Sequence, residues 1–183
     1  TIPQPGEYGN DTWQGDSWQH FGHANAWAAI SADKDLGYVY LSLSTPSHNW
    51  YGGERPGTNL FGDSIVCLNA RTGERVWHYQ LVHHGLWNYD PPAAPVLVDL
   101  AVEGRSIAAL AMISKQAYTY VFDRVTGKPV WPIREKPAPP STIESEQPWP
   151  TQPAPSRPAP YDLQGLSEDD FIDFTPELRA EAL

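Results

Sequence analysis

The chain has 183 residues, enough to bury a sizeable core, and its 22 acidic against 12 basic residues give a formal charge of −10. With that balance and no Lys/Arg cluster, a phosphate backbone is a poor ligand and no nucleic-acid partner is expected. Eight Trp, nine Tyr, 14 Gly and 19 Pro argue against a helical bundle, because aromatics favour pleated surfaces while Gly and Pro punctuate turns, so an all-β fold is expected.

In chain order, Thr1-Ile2-Pro3-Gln4 carries no Met, basic patch or apolar signal core, and no apolar run approaches the roughly 20 residues needed to cross a bilayer. Any leader or membrane anchor is therefore expected outside these residues. Residues 1–25 read as an irregular lead-in, followed by strands over 26–32 and 37–43, a long excursion over 44–62, and strands over 63–68 and 75–81. The one cysteine, Cys67, cannot close an internal disulfide and lies in the apolar run Ser64-Ile65-Val66-Cys67-Leu68, so it reads as a buried structural thiol. A second unit follows, with strands over 95–100, 107–113, 118–123 and 129–133.

The two units share a repeat. Asn69-Ala-Arg-Thr-Gly-Glu-Arg-Val-Trp77 and Asp123-Arg-Val-Thr-Gly-Lys-Pro-Val-Trp131 lie 54 positions apart, with Asx, Thr-Gly and Val-Trp at identical offsets. The mechanics are those of a hairpin: the Asx side chain caps the turn, Gly takes the positive φ, and the chain returns as a strand at Val-Trp. Short strands at this period predict two propeller blades over 26–133. Since propellers need about four to eight blades to close, the rest of the ring is expected from polypeptide beyond this chain. Eleven prolines from Pro132 to Pro176 predict an extended connector over 134–183. Within it, Ser167-Glu168-Asp169-Asp170 reads as a solvated turn or helix start, and Thr175-Pro176 as the N-cap and first position of a short helix.

The Asx-x-x-Thr-Gly-x-x-x-Trp element resembles the tryptophan-docking motif of the dehydrogenases that use pyrroloquinoline quinone (PQQ). The segments Val82-His83-His84-Gly85-Leu86-Trp87-Asn88-Tyr89-Asp90-Pro91-Pro92 and Tyr51-Gly52-Gly53-Glu54-Arg55-Pro56-Gly57-Thr58-Asn59-Leu60 are similar to the membrane-bound glucose dehydrogenase branch of these quinoproteins, as are Asn25-Ala26-Trp27-Ala28, Ser114-Lys115-Gln116 and Asp173-Phe174-Thr175-Pro176-Glu177-Leu178. The resemblance implies a fragment of an eight-bladed quinoprotein β-propeller that oxidises a glucose-like sugar or an alcohol and passes electrons to an acceptor such as ubiquinone. It also implies a periplasmic location, with membrane association through regions outside the chain.

The same resemblance assigns roles by position. Trp27 matches the aromatic floor under PQQ, and Lys115 the cation beside its reactive carbonyl; His84 and Trp87 fall in the pocket-wall segment. The family places an Asp 27 residues before the Lys, ligating the metal or accepting the substrate proton. Counting back 27 from Lys115 lands on Asn88, an amide that cannot hold a proton at neutral pH. Asp90, two positions on, would face the same side of an extended segment and is the candidate substitute base or ligand. For the family's Ca²⁺ or Mg²⁺, a hard ion wanting oxygen donors, the chain offers Asn88, Asp90 and Thr45. The alternative to an enzyme is a catalytically silent propeller, for which Asn88 speaks. Adjacent His83 and His84 on a strand would point to opposite faces and not share a transition metal, and His20, His23, His48 and His78 show no ligand-like spacing.

Overall fold

The structure, a computed structural model, describes residues 2–22 and 24–183; Thr1 and His23 lie outside the described residues. Strands β1 (Ser31–Asp33), β2 (Tyr38–Ser42), β3 (Ser64–Asn69) and β4 (Arg75–Gln80) form one antiparallel sheet in chain order. Strands β5 (Val96–Val102), β6 (Arg105–Ile113) and β7 (Thr119–Asp123) form a second, and β8 (Ile133–Pro137) pairs with β9 (Thr151–Pro155) as a ribbon.

The two repeats fold as their turn chemistry dictates. Asn69 Oδ1 accepts from the N–H groups of Arg71 (2.9 Å) and Thr72 (3.1 Å), and Asp123 Oδ1 from those of Val125 (3.0 Å) and Thr126 (2.9 Å). Gly73 and Gly127 take φ values of +74° and +72°, where L side chains are strained.

Two expectations need correction. The strand expected from residue 26 begins at Ser31, and Ala26 makes only an isolated bridge to Leu43. The last strand of the second unit shrinks to a single bridge, Phe122 to Pro129, because Pro129 and Pro132 have no N–H with which to extend a ladder. The proline-rich stretch, expected as an extended connector, also supplies the ribbon. Pro153 and Pro155 fall on the same parity of the β8–β9 register, opposite Glu135 and Ile133, so a two-stranded ribbon can leave their missing donors on its free edge. The C-terminal helix α1 (Pro176–Ala182) is capped by the Thr175 hydroxyl, which accepts from the N–H of Leu178 at 3.2 Å. Ser167 and Asp170 close an exposed capping box around a single helical turn.

The sheets meet through the repeat tryptophan. Tyr40, Ile65, Cys67 and Trp77 of the first sheet bury against Leu110, Met112, Tyr120 and Phe122 of the second. Burial pushes the Cys67 thiol up to about 12, leaving it an inert core group. The Trp77 indole N–H donates to the carbonyl of Arg124 at 3.1 Å, and the Tyr40 hydroxyl donates to the same oxygen at 3.0 Å. The Arg124 guanidinium then ties β1 to β5, donating to Asp33 and to Asp99, each at 2.8 Å.

A Cβ added at Gly127 would lie 2.6 Å from the Trp77 ring, whereas one at Gly73 would meet nothing within 4 Å. Gly127→Ala should therefore lower the stability of the full-length protein by roughly 1–3 kcal/mol, combining overpacking with the positive-φ cost. Gly73→Ala should show only the smaller φ cost. Urea denaturation of the two variants side by side checks this, and equal losses would mean that the indole does not rest on the next blade's turn.

Candidate functional site

Lys115 occupies the turn between β6 and β7, closed by hydrogen bonds from the Ser114 N–H to the Tyr118 carbonyl (2.9 Å) and from the Ala117 N–H to the Ser114 carbonyl (3.1 Å). The turn is braced from outside. The Tyr161 N–H donates to the Ala117 carbonyl (3.0 Å), the Tyr161 hydroxyl to the Ser114 carbonyl, and the Gln164 amide to the Gln116 carbonyl (2.9 Å). From this braced turn the ammonium reaches the 88–90 segment, donating to the Asn88 carbonyl (2.9 Å), Asn88 Oδ1 (2.7 Å) and Asp90 Oδ2 (3.3 Å).

Asn88 and Asp90 thus share a side, by a route other than the extended alternation expected. Asn88 sits at φ +55°, a left-handed conformation that Asn tolerates, and both its oxygens meet the same ammonium. Trp27 completes the approach: its ring centroid is 5.7 Å from Lys115 Nζ, and the residue is 51% exposed, so an aromatic face lies open beside the cation. Thr45, almost fully buried, donates its N–H to Asp90 Oδ1 (2.7 Å) and its hydroxyl to Asp63 Oδ1 (2.5 Å). Five residues singled out from the sequence, Trp27, Thr45, Asn88, Asp90 and Lys115, therefore lie in one place.

Asp63 is the member that sequence reasoning missed. It lies in the turn just before β3, where the sequence reading begins the strand over 63–68, and it is fully buried, with no hydrogen-bond partner for its Oδ2 among the described residues. Burial pushes its carboxyl up to about 7, against the lowering effect of the Thr45 hydrogen bond. The available signal was a lone acid beside the apolar run Ser64-Ile65-Val66-Cys67.

His84 is not brought to this cluster. Buried at φ +48°, its Nδ1 faces the Gly57 carbonyl (2.8 Å) and Asn59 Oδ1 (3.0 Å), so its imidazole holds the 44–62 excursion in place. His83 faces Gln80 and Glu135 instead. The two rings diverge as expected, but in a bend, not a strand. Trp87 lines a cleft of about 410 Å³ together with Tyr89, Lys115, Tyr118 and Lys136, and this cleft adjoins the cluster at Lys115.

Burial lowers the His84 imidazole to about 4, so the folded state holds it neutral while the unfolded chain protonates it near its ordinary value. Its contribution to stability is present above about 6.5 and is lost as pH falls towards 4; the raised Asp63 carboxyl acts with the opposite sign in that window. In the full-length protein, His84→Gln should flatten the acid side of the melting-temperature profile while Asp63→Asn steepens it. Parallel profiles for both variants would contradict these environments.

The flat Trp27 face beside a fixed ammonium suits a planar, carbonyl-bearing ring. The oxygens of Asn88, Asp90 and Thr45 suit a hard cation in kind and supply part of its shell, while the described residues contain no cluster of three or more His, Cys, Asp or Glu able to hold a metal. These features lie on two antiparallel sheets joined by a Trp-on-turn contact, the sheet arrangement of a quinoprotein-type β-propeller. Residues 2–183 match the family described as the PQQ-dependent glucose/ethanol/alcohol dehydrogenase β-propeller domain, and the chain belongs to that family.

The chain is 38% identical over 134 residues to the quinoprotein glucose dehydrogenase of Escherichia coli (strain K12), covering 73% of the chain and 17% of that protein. It is 32% identical over 178 residues to the glycerol dehydrogenase large subunit of Gluconobacter oxydans (strain 621H), covering 96% of the chain and 24% of that protein. A europium-containing methanol dehydrogenase superposes with a TM-score of 0.64 at 29% identity, over 81% of the chain and 26% of that structure. The chain thus spans about a fifth of the length of the relatives it matches.

Proposed function

We propose that the protein is a PQQ-dependent dehydrogenase that oxidises a CH–OH group of a glucose-like sugar or an alcohol, and that Trp27, Asn88, Asp90 and Lys115 form its reaction centre. The observation that carries this reading is the position of Lys115 Nζ, 5.7 Å from the Trp27 ring and hydrogen-bonded to both Asn88 and Asp90. When bound, PQQ supplies the two-electron acceptor for the substrate hydride. Trp27 offers the platform on which the ring rests, and Trp87 the wall of the adjoining cleft.

The Lys115 ammonium stabilises negative charge developing at a carbonyl oxygen placed beside it. The Asp90 carboxylate takes the substrate hydroxyl proton, and its Oδ1 is held for that task by the Thr45 N–H. Asn88 accepts hydrogen bonds and orients Lys115, but holds no proton. Thr45, Asn88 and Asp90 would supply oxygens to Ca²⁺ or Mg²⁺, a hard cation that would add positive charge beside the reacting oxygens.

Periplasmic location and a quinone as electron acceptor belong to the same reading. Among the described residues no helix is long and apolar enough to cross a membrane, so any anchor would lie elsewhere. A silent, cofactor-binding propeller is the second reading, favoured by Asn88.

The test is turnover of glucose and simple alcohols by the full-length protein with PQQ, Ca²⁺ and an artificial electron acceptor. Activity supports the enzyme; binding of PQQ without turnover favours the silent propeller. Trp27→Leu should weaken PQQ binding by about tenfold, as loss of one stacking face predicts, and unchanged affinity would remove Trp27 from the site.

A further inference from the structure

Asp63 is an expensive residue for the place it occupies. A carboxylate shut away from water needs a cationic partner or several donors, and among the described residues the Asp63 side chain receives one hydrogen bond, from the Thr45 hydroxyl to Oδ1. It forms no ion pair among the described residues. The buried Arg55 guanidinium directs its terminal nitrogens to Asn59, His48 and Gly85 and acts on Asp63 only through its charge, with no hydrogen bond between them among the described residues. Room for the bare Oδ2 is kept by Gly85, where a Cβ would lie 2.2 Å from that oxygen. If Asp63 only had to accept from Thr45, a neutral side chain would serve without the burden of a desolvated charge.

What the charge faces is the oxygen-bearing end of the proposed reaction centre. Thr45 joins the two carboxylates, with its hydroxyl on Asp63 and its backbone N–H on Asp90. Because the Thr45 proton is committed to Asp63, the lone pairs of its oxygen are left for another partner. At position 88, where the resemblance leads one to expect a carboxylate, the chain has a neutral amide.

We propose that Asp63 is a positioning residue for a divalent cation: it fixes and polarises the Thr45 hydroxyl as a ligand, and it supplies, from behind Thr45, the negative charge that Asn88 does not. This rests on the reaction-centre reading above and extends it to a residue outside the expected ligand set. Acting through Thr45, Asp63 sets how tightly the cation is held.

The test is calorimetric titration of Ca²⁺ into the full-length protein, beside PQQ titration of the same preparations. Asp63→Asn keeps an oxygen acceptor for Thr45 but removes the charge; it should raise the Ca²⁺ dissociation constant about 10- to 100-fold, with the melting temperature of the cation-free protein unchanged or higher. Thr45→Val should raise it as well, and adding Asp63→Asn to Thr45→Val should cost little more, since the path between them is already cut.

If the wild type binds Ca²⁺ and PQQ while Asp63→Asn binds Ca²⁺ within twofold of it, this inference is wrong and the reaction-centre reading stands. Additive losses in the double variant overturn the route through Thr45. A wild type that binds neither Ca²⁺ nor PQQ overturns both. Should Asp63→Asn not fold, Thr45→Val carries the decision, and an unchanged dissociation constant there is equally fatal.

Discussion

Replacing Lys115 with methionine should lower kcat by about 10²- to 10³-fold, the usual effect of removing one fixed electrostatic donor from a reacting oxygen. Methionine matches the length of the aliphatic stem and lacks the charge. The ammonium donates to Asn88 and Asp90, so its removal also frees those oxygens from the position in which the chain holds them. The side chain is about a third exposed, and its backbone turn is held independently by Tyr161 and Gln164. Melting temperature should therefore change little while the rate collapses. Lys115→Arg, which keeps the charge, should retain more activity than the methionine variant. Equal rates in wild type and Lys115→Met would show that no charge develops beside this residue.

The second large effect is expected at Asp90. Asp90→Asn removes the carboxylate best placed to take a proton beside Lys115 and should cost about 10²- to 10⁴-fold in kcat. An amide oxygen can still accept from the Thr45 N–H, so the loss should be in rate more than in folding. Asn88→Asp in the wild type should raise the rate, and in the Asp90→Asn background it should restore much of what was lost. That pattern assigns the base to Asp90 and shows position 88 to be competent for the same work. If Asp90→Asn turns over like the wild type, the proton goes elsewhere; if Asn88→Asp alone creates activity from none, the silent-propeller reading is correct.

How much of this was legible in the sequence follows from the range of the interactions. The Asn69 and Asp123 turns were readable because cap, Thr and Gly lie within five residues of one another and make their own hydrogen bonds. The repeat spacing then carried the blades. The missing fourth strand of the second sheet was not readable from pattern, because Val130 and Trp131 look like strand residues while Pro129 and Pro132 decide the outcome by lacking donors. The β8–β9 ribbon was hidden for a related reason: its composition reads as extended linker, and only the parity of Pro153 and Pro155 lets it pair.

At the site, Trp27, Lys115 and Asn88 came from motif resemblance, not from periodicity, since they lie on segments far apart in the chain. His84 belonged to the same motif but turns away, because a left-handed backbone directs its ring into the excursion. Asp63 could not have been found locally. It is enclosed by Thr45 and Arg55 of the 44–62 excursion and by Gly85 of the connection after β4, whose meeting only the fold determines.

In the proposed centre, Trp27 addresses the face and Lys115 a carbonyl edge of one planar quinone. A crystal structure of the full-length protein reconstituted with PQQ and Ca²⁺ tests it most directly. The cofactor ring should lie against the Trp27 indole, with a carbonyl oxygen within about 3 Å of Lys115 Nζ. A ring bound elsewhere, with Trp27 and Lys115 still facing each other across nothing but solvent, would contradict it.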